Sequence, residues 1–266
     1  PDKPDYGSPG VSHLARTIKG GTQGGFAIHS ITYDLQTLGI VPGDMLFIHS
    51  SFKSLGPVAG GAATVVQALE AAVGSEGLIL MPSFNLVAHE DRPKTWNWEE
   101  TPSSVGWLTE FFRLMQGTYR SDHYSHSVAA RGKGAARFVA NHLSNEGYGS
   151  PWDKAPWGKT YGTHSPMVRA YERGGRLLML GVDYETSTYI HLVEVMYWNE
   201  LLKVDPEASY LGLDRPKLGA FWDQTGELRR GSVGQADCRC FEIRVYVDQL
   251  LEEVRRDPKG YDRNRS

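Results

Sequence analysis

Met45-Leu46-Phe47-Ile48-His49-Ser50-Ser51-Phe52-Lys53-Ser54-Leu55-Gly56 opens as an uninterrupted apolar run and closes as a Ser/Gly loop. A short, fully apolar run before a turn reads as a strand buried on both faces. Gly60-Gly61 follows, then a stretch from Ala62 to Val73 with helical apolar spacing, then a second apolar strand, Leu78 to Met81, stopped by Pro82. Upstream, Ser30 precedes a helical stretch, Ile31 to Leu38, closed by Gly39 and Pro42-Gly43. Downstream, Arg176 to Val182 predicts a strand and Thr188 to Leu202 a helix. The order of helix, strand, Ser/Gly loop, helix and strand is that of an α/β domain built on parallel strands. Between these blocks, residues 89–103 predict an irregular surface excursion and Ser104 to Met115 a helix. Ser127 to Ala130 predicts a strand, Gly134 to Leu143 a helix, and Asn145 to Thr163 an ordered loop. An amphipathic helix is expected from about Phe241 to Val254.

Composition excludes several classes. The chain has 266 residues, 40% hydrophobic and 22% charged, which suits one folded α/β domain and not a disordered or coiled-coil chain. Twenty-eight basic against 31 acidic residues give a net charge of −3, so no basic field points to nucleic acid. Cys238 and Cys240 are too close for an easy mutual disulfide, which excludes a disulfide-stapled scaffold. No run approaches the ~20 apolar residues of a membrane span. Residues 1–25 read as a loose leader without the apolar core of a signal peptide, so the default location is the cytoplasm and the folded domain is expected over 26–266.

Two segments can carry chemistry. After the strand Met45–Ile48, the hydroxyls of Ser50, Ser51 and Ser54, the charge of Lys53 and the conformational freedom of Gly56, Gly60 and Gly61 suit a pyrophosphate at a helix N-terminus. A tight loop between packed elements leaves the same pattern. The segment is neither a Walker A loop nor a dinucleotide fingerprint. The second, Thr186-Ser187-Thr188-Tyr189-Ile190-His191-Leu192-Val193-Glu194, follows a strand end, where ligands gather in open α/β sheets. His191 and Glu194 are three residues apart on one helical face, the arrangement of a general base held by a carboxylate; a partly buried structural histidine would have the same spacing. His123 and His126 would point to opposite faces of a strand, and no metal site is expected. The spacing of Cys238 and Cys240 fits neither redox nor zinc chemistry, so both are expected to be packing residues.

These motifs occur in an order that resembles the aminoglycoside 3-N-acetyltransferases. His49 to Gly56 with Gly60-Gly61 is similar to the family's first loop, and Met81-Pro82-Ser83-Phe84 to its next strand end. Arg120-Ser121-Asp122-His123 and His126-Ser127-Val128-Ala129-Ala130 resemble its Arg-Ser-x-His-Pro segment. His164-Ser165-Pro166 and Leu180-Gly181-Val182 follow, and Ser187 to Glu194 is similar to Asn-Thr-Ser-Leu-His-Leu-Ala-Glu. The resemblance covers roughly residues 30–200, with a looser match at Asp237-Cys238-Arg239-Cys240.

It implies a single-domain α/β/α sandwich of the antibiotic N-acetyltransferase type, distinct from the GNAT fold. It also implies transfer of acetyl from acetyl-coenzyme A to the 3-amino group of an aminoglycoside, an antibiotic-resistance activity. Coenzyme A binding is carried onto Ser50, Ser51, Phe52, Lys53, Ser54, Leu55, Gly56, Ser83, Arg120 and Ser121. The catalytic base falls on His191, the orienting carboxylate on Asp237 with Glu194 as a second partner, and an oxyanion donor on Thr188. The acceptor region takes in Glu90, Asp91, Glu99, His123 and His126. Tyr124 for the family's proline, Ser187 for its asparagine, Tyr189 for a small residue and a short excursion depart from the pattern. These departures bear on the acceptor, so another amine, or coenzyme binding without turnover, stand as alternatives.

Overall fold

The structure is a computed structural model that describes residues 25–87 and 90–265. The expected leader lies outside the described residues apart from Gly25. The chain runs α1 (Ile28–Thr37), β1 (Met45–Ser50), α2 (Gly61–Val73), β2 (Leu78–Pro82), α3 (Arg92–Thr95), α4 (Trp107–Leu114), β3 (Tyr119–Arg120) and β4 (Val128–Gly132). It continues through α5 (Ala135–Val139), β5 (Gly147–Tyr148), β6 (Tyr161–Gly162), α6 (Pro166–Glu172), β7 (Arg176–Leu180), α7 (Tyr189–Leu202), α8 (Arg215–Thr225), β8 (Arg229–Val233), β9 (Ala236–Glu242) and α9 (Ile243–Arg256).

Seven strands form one sheet in the order β3-β4-β2-β1-β7-β9-β8. The three apolar strands found from the sequence are its parallel centre: β1 pairs with β2 (Met45 opposite Leu78) and with β7 (Ile48 opposite Leu178). The outer strands run antiparallel, β4 against β2 and β9 against β7, so the sheet is mixed. Its edges resist further pairing, because β3 has two residues and β8 carries exposed Arg229 and Arg230.

Side-chain alternation along β1 divides the core. Leu46 and Ile48 face a cluster with Ile31 and Leu35 of α1 and Val65 and Leu69 of α2, while Phe47 faces one with Tyr189, Leu192 and Val193 of α7 and Tyr246 and Leu250 of α9. Helices thus cover both faces, giving the α/β/α sandwich. The same alternation puts His49 on the α7 side, its ring 5.4 Å from that of Phe47. Ser30, expected just ahead of this helix, lies inside α1, where its Oγ accepts from the Ala27 N–H at 3.1 Å and donates to the Ala27 carbonyl at 2.8 Å. Cys238 and Cys240 of β9 are buried, unpaired packing residues, and burial pushes both thiols up to about 11.

Candidate active site

The site forms where β1, β2 and β7 end together. His49 and Ser50 end β1, Pro82 and Phe84 follow from β2, and Val182 and Thr186 lead from β7 into α7. Gly181 makes the turn out of β7 at φ +66°, and a Cβ there would lie 2.5 Å from Cβ of Ser54. A cleft of about 500 Å³ opens at this point, and His191, Thr188, His126, Trp152, Arg92 and Arg215 reach it. A groove of about 580 Å³, lined by Ser54, Asp183, Gln235, Asp237 and Arg239, shares Val182 and Thr186 with the cleft.

His191 stands on the first turn of α7 with a defined set of partners. Its Nδ1 lies 2.5 Å from Oε2 of Glu194. An ionised carboxylate only accepts, so Nδ1 carries the proton. Nη2 of Arg215 is 2.7 Å from Nε2 and can only donate, which leaves the lone pair on Nε2, on the cleft side. Glu194 is itself held by the Tyr210 hydroxyl at 2.6 Å and the Leu213 N–H at 2.8 Å. Burial alone would raise the Glu194 carboxyl; the bonds from His191, Leu213 and Tyr210 outweigh it and hold the group below the usual carboxylate range. Burial, with the Glu194 charge adding, raises the Tyr210 hydroxyl, which therefore stays a donor. The indole of Trp152 meets the His191 ring edge-on at 4.8 Å.

The carboxylate partner is therefore Glu194 and not Asp237. Asp237 is exposed on β9, with its side chain in the neighbouring groove and its carbonyl accepting from Gly181 N–H at 3.0 Å. The helical spacing points to the partner that the geometry provides; the looser C-terminal resemblance misassigns it. Thr188 lines the cleft, but its N–H (3.3 Å) and Oγ1 (3.2 Å) both converge on Nε2 of His49. Burial, with Arg215 adding, pulls His49 down to about 3, so its Nε2 stays an acceptor for Thr188. Ser50 supplies what Thr188 does not, a buried hydroxyl in the cleft wall with no partner among the described residues.

The Ser50–Gly56 loop is more closely packed than a phosphate cradle. Phe52–Leu55 is a single 3-10 turn, Leu55 is fully buried and Phe52 packs against the core. The Ser51 N–H donates to Leu180 O at 2.9 Å, and its Oγ accepts from Ser54 Oγ at 2.8 Å. A Cβ on Gly56 would meet the Gln235 side chain at 2.5 Å, so this glycine serves packing. Lys53 is exposed, and Ser54 lines the groove.

Ser83, Arg120 and Ser121 lie outside the lining of the cleft and make internal hydrogen bonds. Arg120 donates to the carbonyls of Trp98 (2.9 Å), Thr101 (2.6 Å) and Ser83, and stacks over Trp96 at 4.4 Å, pinning the excursion to the sheet edge. Ser83 is fully buried, and Ser121 Oγ is taken by Val128 N–H and His142 Nδ1, each at 2.9 Å. Arg120→Ala leaves the buried Ser83 carbonyl without its donor, removes the bonds to Trp98 and Thr101, and is expected to lower stability by about 2 kcal/mol. Urea unfolding checks this; an unchanged midpoint with weakened acetyl-coenzyme A binding would restore the ligand role.

Of the expected acceptor residues, His126 reaches the cleft. Its Nδ1 bonds Ser125 Oγ at 2.7 Å, and burial, with His191 adding, pulls it well below its ordinary value. His123 is fully buried; its Nδ1 accepts the N–H groups of Ser125 (3.2 Å) and His126 (3.3 Å), shaping the turn that presents His126. Glu90, Asp91 and Glu99 are exposed and do not line the cleft. Arg215, Trp152, Arg92 and Glu185 were not found from the sequence. A helix-start signal, Asp214-Arg215-Pro216, marks Arg215, with Asp214 Oδ1 capping Lys217 N–H at 2.9 Å, but nothing local ties it to a histidine 24 residues away.

A three-layer α/β fold with a carboxylate-held histidine in a cleft at the strand ends, beside a second groove, has the arrangement of an enzyme site built around a general base. Residues 47–254 match the model of the Antibiotic_NAT family, aminoglycoside 3-N-acetyltransferase. The SPbeta prophage-derived aminoglycoside N(3')-acetyltransferase-like protein YokD of Bacillus subtilis is 28% identical, with 82% of this chain and 89% of that protein covered. Aminoglycoside N(3)-acetyltransferase VII of Streptomyces paromomycinus is 29% identical, with 81% and 86% covered. The crystal structure of apo aminoglycoside acetyltransferase AAC(3)-IVa superposes with a TM-score of 0.72 at 26% identity, covering 91% of this chain and 93% of that one. The chain belongs to the aminoglycoside 3-N-acetyltransferase family and is an acyltransferase. Among the described residues, no helix is long and apolar enough to cross a membrane.

Proposed function

We propose that the chain transfers acetyl from acetyl-coenzyme A to a primary amine, in a single domain over 26–266 and in the cytoplasm. The observation that carries this reading is the Glu194–His191 pair, whose Nε2 lone pair faces a cleft that shares Val182 and Thr186 with the neighbouring groove. Coenzyme A lies along the groove of Ser54, Asp237 and Arg239, and its thioester reaches Val182 and Thr186. The acceptor enters beside Trp152 and His126. Once the bound ammonium has lost one proton, the amine nitrogen attacks the thioester carbonyl. His191 Nε2 takes the second proton as the N–C bond forms, the C–S bond breaks, and the proton passes to the leaving thiolate. Glu194 stabilises the imidazolium that forms in between. The Ser50 hydroxyl is positioned to donate to the oxyanion. Holding both substrates at this site supplies much of the acceleration without an acyl-enzyme.

The acceptor implied by the family is the 3-amino group of an aminoglycoside. Support comes from the curated relatives, among them aminoglycoside N(3)-acetyltransferases VII and IV. One observation favours a different amine: among the described residues, the cleft is lined by two arginines and one exposed carboxylate. Thiol release from acetyl-coenzyme A with a panel of amines tests the reading. Amine-dependent release supports it, and coenzyme binding without release under every acceptor overturns it.

A further inference from the structure

The cleft beside His191 carries the wrong charge for a polycation. Arg92 and Arg215 both line it, and neither forms an ion pair among the described residues. Arg92 Nε donates to Val87 O at 2.8 Å. Arg215 donates to Glu185 O at 2.6 Å and to His191 Nε2 at 2.7 Å, and its Nε is buried without a partner among the described residues. The carboxylate of Glu185, the one acidic side chain lining the cleft among those residues, lies 3.7 Å from Arg263. Glu194 is buried behind His191 with its bonds already filled. Phe84, Leu86 and Val105 add apolar side chains to the lining. Two guanidiniums against one carboxylate, in a cleft also lined by apolar side chains, favour an anion over a polycation.

We propose that the acceptor is a small amine that also carries an anionic group, a carboxylate or a phosphate ester, taken up by Arg92 and Arg215. This rests on the acetyl-transfer reading and replaces only its acceptor. It also gives a role to the contact between Arg215 and His191. Nη2 of Arg215, 2.7 Å from Nε2 of His191, covers the lone pair that must receive the proton. An anion on the Arg215 guanidinium draws it off Nε2, so that the base is uncovered when the acceptor is seated. An alkylamine of equal length fills the same space but leaves Arg215 on the base.

The test compares matched pairs on the full chain at saturating acetyl-coenzyme A: ω-amino carboxylates and aminoalkyl phosphates against n-alkylamines of the same length, with 2-deoxystreptamine aminoglycosides alongside. The anionic member of each pair is expected to exceed its partner and every aminoglycoside by about tenfold or more in kcat/KM. Arg92→Met and Arg215→Met bring that ratio near one while the KM for acetyl-coenzyme A stays within about twofold. Equal rates within pairs, or faster turnover of aminoglycosides, would overturn the proposal. A parallel rise in the acetyl-coenzyme A KM in Arg92→Met would also overturn it, by assigning the guanidiniums to the coenzyme's phosphates. If no amine is acetylated, the transfer reading fails. The anion site is then decided by calorimetric titration with inorganic phosphate and an ω-amino carboxylate: saturable binding lost in Arg92→Met upholds the site, and no binding removes it.

Discussion

In His191→Ala, acetyl transfer falls by about a thousandfold or more, while acetyl-coenzyme A binds within about twofold of the wild-type affinity. The expected size follows from the site. Nε2 of His191 is the basic atom presented to the cleft by a carboxylate-held ring. The other two histidines of the cleft do not replace it: burial holds His49 at about 3 and His126 well below its ordinary value, and His49 Nε2 already accepts from Thr188. The coenzyme is spared because the groove assigned to it meets the cleft at Val182 and Thr186, not at the ring of His191. Steady-state thiol release and calorimetry on the same preparation measure the two quantities. Retained turnover would remove His191 from the mechanism.

Glu194→Gln has the second largest effect, a loss of about a hundredfold in kcat with little change in the acetyl-coenzyme A KM. The amide keeps the volume and one acceptor oxygen. It lacks the negative charge that stabilises the imidazolium, and its NH2 faces one of the donors from Tyr210 or Leu213. Asp237→Asn serves as the comparison. With its side chain in the groove and not on His191, Asp237 affects the acetyl-coenzyme A KM and leaves the pH profile of kcat unmoved. A larger kcat loss in Asp237→Asn than in Glu194→Gln would reverse the assignment. Glu194→Ala separates charge from folding: a buried Tyr210 hydroxyl and Leu213 N–H left unpaired cost about 2–4 kcal/mol of stability, and urea unfolding reads this independently of rate.

The centre of the fold was legible because β1, β2 and β7 are continuous apolar runs, and buried parallel strands leave that trace. The antiparallel outer strands were less so. In β9 the buried side is marked by Cys238 and Cys240, weaker signals than branched aliphatics, and its last residues, Phe241 and Glu242, merge with the start of α9, so the helix was expected to begin too early. In the site, the pair three residues apart on one helix could be read from spacing alone. Arg215, Trp152 and Arg92 could not, because each arrives from a separate element and only the folded sheet brings them to one opening. Ser83, Arg120 and Ser121, which the resemblance implies for coenzyme A, make internal hydrogen bonds that spacing does not reveal. A motif shows which residues recur, and the hydrogen bonds show that Arg120 ties the excursion to Ser83 after β2, while Ser121 bonds Val128 of β4 and His142.

A crystal structure with coenzyme A bound tests the central claim most directly. The account predicts the nucleotide end along Asp237 and Arg239, the sulfur beside Val182 and Thr186, and His191 Nε2 facing the thioester position across space for one amine. A sulfur seated away from His191, with the imidazole still behind Arg215 and no path between them, would contradict it.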